Sequence, residues 1–180
     1  MPPAAANQPP REDSLSSRCS IYQTAITTVA ATESALVVDS TALGVPSFAF
    51  YAWTTFSRAE RPQDLQVSDT QFQALIHLNE HRDLLTDCLS PLPKIQPVTS
   101  DSLMAIFQGH RDGWSRFHQR YSGARRFLLV SQPLHLNGSS VLIYVAYASD
   151  WLNGAGQILR LERDRAGHWV LKGTATLWVS

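Results

Sequence analysis

The chain has 180 residues, of which 44% are hydrophobic and 17% charged, with 15 basic side chains against 15 acidic ones. That length suits one domain with a core large enough to need no staples. Zero formal charge argues against a protein whose main task is to coat nucleic acid. No apolar run approaches the ~18 residues of a membrane span.

In chain order, the first segment reads as a disordered leader over residues 1–18, followed by a single domain over residues 19–180. Pro2, Pro3, Pro9 and Pro10 punctuate a stretch with almost nothing to bury, so ordering it is not repaid. It lacks the basic start and apolar centre of a signal peptide. A Pro/Ala-rich leader of this kind fits a mature chain whose signal was removed; a cytoplasmic chain with a loose end is the alternative. Cys19 and Cys88, 69 residues apart, are either a disulfide or two buried thiols. A bridge over that loop would add about 4 kcal/mol in the chain-entropy account.

Ser20 to Thr32 places Ile21, Tyr22, Ala25, Ile26 and Val29 at helical spacing. Ala35 to Val38 reads as a short strand, and Gly44 and Pro46 as a loop. Phe48 to Phe56 is aromatic-rich and fits either a strand or a loop packed on the core. Ser68 and Gln71 spell a capping box, which starts a helix with Phe72, Leu75, Ile76 and Leu78 on its buried face. Pro91 and Pro93 stop helical structure, and Pro97 confines Lys94 to Val98 to a sheet edge. Ser100 to Ser102 reads as a further helix start. Trp114, Phe117 and Tyr121 then give a helix with one aromatic face.

The last third is strand-like. Phe127 to Val130 is a strand, and Asn137-Gly138 predicts a type I′ hairpin turn. Val141 to Tyr147 is apolar on both faces and belongs in the middle of a sheet. Gly154 to Gly156 reads as a loop, Asp164 to Gly167 as a turn, and Gln157 to Arg163, Trp169 to Leu171 and Thr176 to Val179 as strands. The expected fold is α+β, with three or four N-terminal helices packed on one face of a C-terminal four- or five-stranded antiparallel meander.

Several of these residues carry a resemblance. They are Trp114-x-x-Phe117, Tyr121-x-Gly123, Ser131-x-Pro133, the Val141 to Tyr147 strand, Gly154-x-Gly156, Gly167-x-Trp169 and the terminal Trp178-Val179-Ser180. This arrangement resembles a group of uncharacterised bacterial proteins described as periplasmic proteins or lipoproteins. The resemblance implies an envelope location. It supplies no activity and no catalytic residues.

The candidate chemistry is sparse. His77-x-x-Glu80-His81 fits the spacing of an inverted zinc-peptidase motif, with both histidines on one helix face and Glu80 as base. The site would need a third protein ligand, and an exposed polar helix end with His77, Glu80 and His81 in water is the simpler reading. His110-Arg111-Asp112 has no kinase context around it. Arg116 and Arg120 lie four apart, away from the aromatic face, and form either an anion patch or a solvated helix face. Trp151 sits between Asp150 and Asn153, outside strand alternation, where exposed tryptophans anchor interfaces. The leading expectation is a non-enzymatic envelope protein that binds another protein, as an inhibitor or immunity factor does. Its contact residues would be Asp150, Trp151, Asn153, Arg116 and Arg120, with no cofactor, no nucleic acid and no membrane span. The alternatives are a small-ligand carrier with a cavity lined by Phe50, Trp53 and Tyr144, and a small zinc hydrolase at His77 and His81.

Overall fold

A computed structural model describes residues 15–31, 33–41, 65, 67–108 and 112–180. The aromatic run from Phe48 to Phe56, with Phe50 and Trp53, lies outside these residues, as do residues 1–14 and His110-Arg111. Five helices are described: α1 (Leu15–Ala30), α2 (Asp69–Leu78), α3 (Thr86–Leu89), α4 (Ser100–Phe107) and α5 (Gly113–Arg120). The strands are β1 (Ala35–Val38), β2 (Ile95–Val98), β3 (Arg126–Val130), β4 (Leu134–Asn137), β5 (Ser140–Asp150), β6 (Asn153–Arg163) and β7 (Trp169–Val179). They form one seven-stranded sheet in the order β2-β1-β3-β5-β6-β7, with β4 pairing β5.

The class is α+β as expected, but the sheet is larger than a C-terminal meander. β1 pairs in parallel with both β2 and β3, and the antiparallel part begins where β3 meets β5. Parallel neighbours need crossovers. Those crossovers put helices on both faces, which corrects the expectation of one helical face. Alternate residues of the strands assign the sides. Ala35, Val37, Val141, Ile143 and Val145 pack with α1 and α3. Leu142, Tyr144 and Ala146 pack with Phe72 and Leu75 of α2, and Leu36 and Val38 with α4 and α5.

Local chemistry accounts for the elements. Ser68 Oγ accepts the Gln71 amide, and Gln71 returns the bond to the Ser68 amide, so α2 starts where the capping box places it. Thr99, rather than a residue of the Ser100 to Ser102 run, caps α4. Leu15 to Arg18 form the first turn of α1 instead of leader. Long-range ties hold this start of the helix: the Cys19–Cys88 disulfide, the Arg18–Asp83 ion pair at 2.5 Å and the hydrogen bond that Arg163 donates to Ser17 Oγ.

Two turn expectations need correction. The β4–β5 hairpin exists, but Asn137 and Ser140 already pair, and among the described residues Gly167 is the glycine with positive φ. Asn137 Oδ1 accepts the Ser139 amide instead, so the side chain builds the turn that a type I′ backbone was expected to make. Gly154 and Gly156 lie inside β6 rather than in a loop. A Cβ on Gly156 would overlap the Trp178 indole nitrogen and stand 2.5 Å from the Tyr144 hydroxyl. The glycine makes room for a 2.9 Å hydrogen bond in which Trp178 Nε1–H donates to Tyr144 Oη. Gly156, Tyr144 and Trp178 are thus one packing device on three adjacent strands. Burial pushes the Tyr144 phenol up to about 12, while the indole donor pulls the other way.

Candidate functional site

The candidate site lies at the sheet end where β5 turns into β6. Asp150 and Asn153 pair across the hairpin, leaving Trp151 and Leu152 at its tip. Asp150 Oδ1 accepts the Trp151 amide at 2.7 Å, and Ser149 Oγ donates to the Asn153 carbonyl. The side chains projected there are 55% exposed for Trp151 and 85% for Leu152.

The tip rests on aromatic packing that α4 and α5 supply. α4 buries Leu103 and Ile106 and ends at Phe107, whose ring meets Trp151 edge-on at 6.2 Å. Met104, one turn earlier on that face of the helix, is 59% exposed. Gly113 lets α5 start against Phe107, since a Cβ there would lie 2.6 Å from that ring. Trp114 meets Phe107 edge-on and stacks on Phe127 at 5.7 Å. The end of β7 comes alongside: the Ser180 amide donates to the Gly154 carbonyl, and neighbouring Val179 is 75% exposed. Trp151 and Leu152 therefore make an exposed apolar crest at the tip, with Met104 exposed one turn from Phe107; Val179 is exposed at the same end of the sheet but pairs with Ala155, on the face that Tyr147 and α1 share. A buried aromatic cluster supports the crest.

The other residues singled out by sequence fall in different places. Arg116 and Arg120 project from the solvent side of α5, whose inner side carries Trp114 and Phe117. Arg116 is held by Asp112 at 3.1 Å, and the Arg120 guanidinium stands 5.8 Å from the Tyr121 ring centre. They share α5 with the cluster under the tip.

His77 and His81 do not share a helix face, because α2 ends at Leu78. Its C-cap, Asn79, is fully buried; it donates to the Leu75 carbonyl and accepts the Gln132 amide at 2.6 Å. Helical spacing breaks between the two histidines. His77 Nδ1 instead meets Glu80 Oε1 at 2.9 Å in solvent, and no group of three or more His, Cys, Asp or Glu among the described residues is placed to hold a metal ion.

The ligand-carrier alternative rested on Phe50, Trp53 and Tyr144. The first two lie outside the described residues, and Tyr144 is spent on packing against Trp178. Two open clefts among the described residues are lined mostly by polar residue types, with their aliphatic atoms forming much of the walls. One, of about 250 Å³, lies at the carboxyl ends of β1 and β2 between Asp39, Arg82, Asp83 and Asp101. The other, of about 260 Å³, lies between α1 and the β6–β7 turn, with Ser20, Thr24, Thr27 and His168 on its walls.

Comparison with known proteins finds no matching family model, no matching curated protein and no matching solved structure. No helix among the described residues is long and apolar enough to cross a membrane.

Sequence reasoning picked out Trp151 and missed the rest of the crest. Leu152 carried a usable signal, since a leucine beside a tryptophan in a two-residue turn has no core to enter. Met104 follows the Ser100 to Ser102 helix start with nothing to mark it, and Val179 reads as a strand residue. Their exposure depends on where the sheet stops.

Proposed function

We propose that this chain is a non-enzymatic bacterial envelope protein that binds another protein, in the manner of an inhibitor or immunity factor, through the crest at the β5–β6 tip. One observation carries the reading. A buried aromatic core is complete beneath the tip, yet the two large apolar side chains at its apex, Trp151 and Leu152, stand in water above it, and Met104 is exposed a turn away from the Phe107 that Trp151 packs on. Apolar surface gathered in one place is an interaction site far more often than scattered exposure is. A tryptophan with a packed ring beneath it also loses little freedom on binding, as interface anchors require. Asp150 and Asn153 shape the tip, and Arg116 and Arg120 form a polar rim on the neighbouring helix. The envelope location is supported by the Cys19–Cys88 bridge, which persists in oxidising compartments, and by the family resemblance.

Cross-linking of envelope extracts tests the reading. Wild-type protein is expected to give a discrete protein adduct that Trp151→Ala abolishes and the Arg116→Glu/Arg120→Glu pair weakens. An adduct pattern unchanged in both variants would remove this surface from consideration.

A further inference from the structure

We infer that the cleft at the carboxyl ends of β1 and β2 binds a free basic amino acid. This site lies at the other end of the sheet from the crest and does not depend on the protein-binding reading. Where strands run parallel, small ligands collect in the crevice outside their carboxyl ends. β1 and β2 run parallel, and the cleft opens where each ends, at Ser40 and at Thr99, which caps α4. Its volume of about 250 Å³ suits a molecule smaller than a drug-sized ligand.

The backbone around it is tied down. The Asp39 amide donates to the Val98 carbonyl, the Leu85 amide to the Asp39 carbonyl and the Thr41 amide to the Asp83 carbonyl. Ser40 and Leu84 add an antiparallel bridge between the same two segments. The charges on this frame are not tied down. Asp83 is spent on Arg18, but Asp39, Arg82 and Asp101 line the cleft and take part in no ion pair or side-chain hydrogen bond among the described residues. Ser40 points independently to an occupant. It lines the cleft with only 7% of its surface exposed, and its hydroxyl takes part in no hydrogen bond among the described residues. Polar groups this buried are ordinarily paired, so the hydroxyl is open to whatever fills the cleft.

The charge pattern selects the ligand. Two carboxylates and one guanidinium match two cations and one carboxylate carried by one small molecule. Among the described residues the carboxylates are not gathered as metal ligands are, so ammonium groups are the fitting cations. A diamino acid supplies its two ammonium groups to Asp39 and Asp101, with Ser40 Oγ as a further acceptor. Its carboxylate goes to Arg82 beside the first-turn amides of α4, where a helix favours negative charge. Leu84, 77% exposed on the wall, covers the methylene chain.

Isothermal titration calorimetry of the purified full chain at low salt, with L-lysine as probe, is the test. Saturable binding with a Kd of about 1 mM or tighter is expected, and no binding of L-glutamate at the same concentrations. Asp39→Asn and Asp101→Asn should each weaken lysine binding at least ~10-fold. Arg82→Gln should do the same for lysine but leave the diamine cadaverine, which lacks the carboxylate, bound as before. Asp101 and Arg82 are exposed, so unchanged circular-dichroism spectra are expected for both variants and separate lost binding from lost fold. Absence of lysine binding, equal binding of glutamate, or a lysine affinity indifferent to Asp101→Asn and Arg82→Gln would each overturn the inference. Trp151→Ala should bind lysine as wild type does, because tip and cleft lie at opposite ends of the sheet.

Discussion

The two ends of the sheet are built on opposite principles. At the carboxyl ends of β1 and β3, polar side chains are driven inside and tied to one another. Asn79 and Ser131 are fully buried; Asn79 accepts the Gln132 amide, and Ser131 Oγ accepts the Tyr144 amide at 2.8 Å. Thr41, nearly as buried, accepts the Asp83 amide, and Asp83 holds Arg18 next to the disulfide. At the opposite end, apolar side chains are pushed out into water over a packed aromatic cluster. Buried polar groups without partners cost 1–3 kcal/mol each, so the first end specifies the fold. Exposed apolar groups contribute little to folding, so the second end is available for contact. Substitutions should therefore separate stability from binding by location.

The largest effect is expected from the disulfide. Cys19→Ser/Cys88→Ser frees α1 from α3 and should lower unfolding free energy by about 4 kcal/mol, read from urea denaturation. A change below about 1 kcal/mol would mean that the Arg18–Asp83 pair and core packing already anchor α1.

Asn79→Leu comes next. It removes the bonds to Leu75 and Gln132 and leaves the part-buried Gln132 amide without its partner, so a loss of about 1–3 kcal/mol is expected in the same assay. Gly156→Ala should cost about 1–3 kcal/mol by overpacking against Trp178 and Tyr144. The accompanying shift of the Trp178 environment would be visible in near-ultraviolet circular dichroism.

The Tyr144 phenol gives a pH signature at this packed centre. Its folded pKa stands near 12, above the ordinary 10, so the fold holds the proton more tightly than the unfolded chain does. The contribution is complete below pH 10 and is lost as pH rises from 10 towards 12. Wild type should lose stability over that window more steeply than Tyr144→Phe, by up to about 2–3 kcal/mol. Parallel curves for the two proteins would show that the phenol is not sensed by the fold.

The smallest stability effect belongs to the crest. Trp151→Ala should cost about 1 kcal/mol or less, the value of one edge-on ring contact, while removing the protein adduct altogether. A large loss of stability would mean that Trp151 is a core residue with an exposed edge.

The elements were more legible in the sequence than their assembly. The capping box at Ser68, the apolar face of α1 and the two-faced β5 strand are local signals, and each stands where its pattern puts it. Pro97 on the edge strand β2 follows from its missing amide hydrogen. The parallel pairing of β1 with β2 and β3 has no local signal, because Ala35 to Val38 reads the same in either direction. Gly156 looked like a loop residue because its reason for being there, Trp178, lies 22 residues away on a neighbouring strand. The same limit applied to His77 and His81: their spacing promised a shared helix face until buried Asn79 capped the helix between them. At the crest, the sequence marked Trp151 alone by its place between Asp150 and Asn153, since the exposure of Leu152 and Met104 depends on where β5 turns and where α4 lies.

The most direct test compares the two ends in one experiment. Leu84, 77% exposed, lies beside the polar end, and Leu152, 85% exposed, crowns the apolar one. A photoreactive residue placed at each in turn, in cells, should give protein adducts from position 152 and none from position 84. Equal labelling from both positions, or none from position 152, would contradict the account.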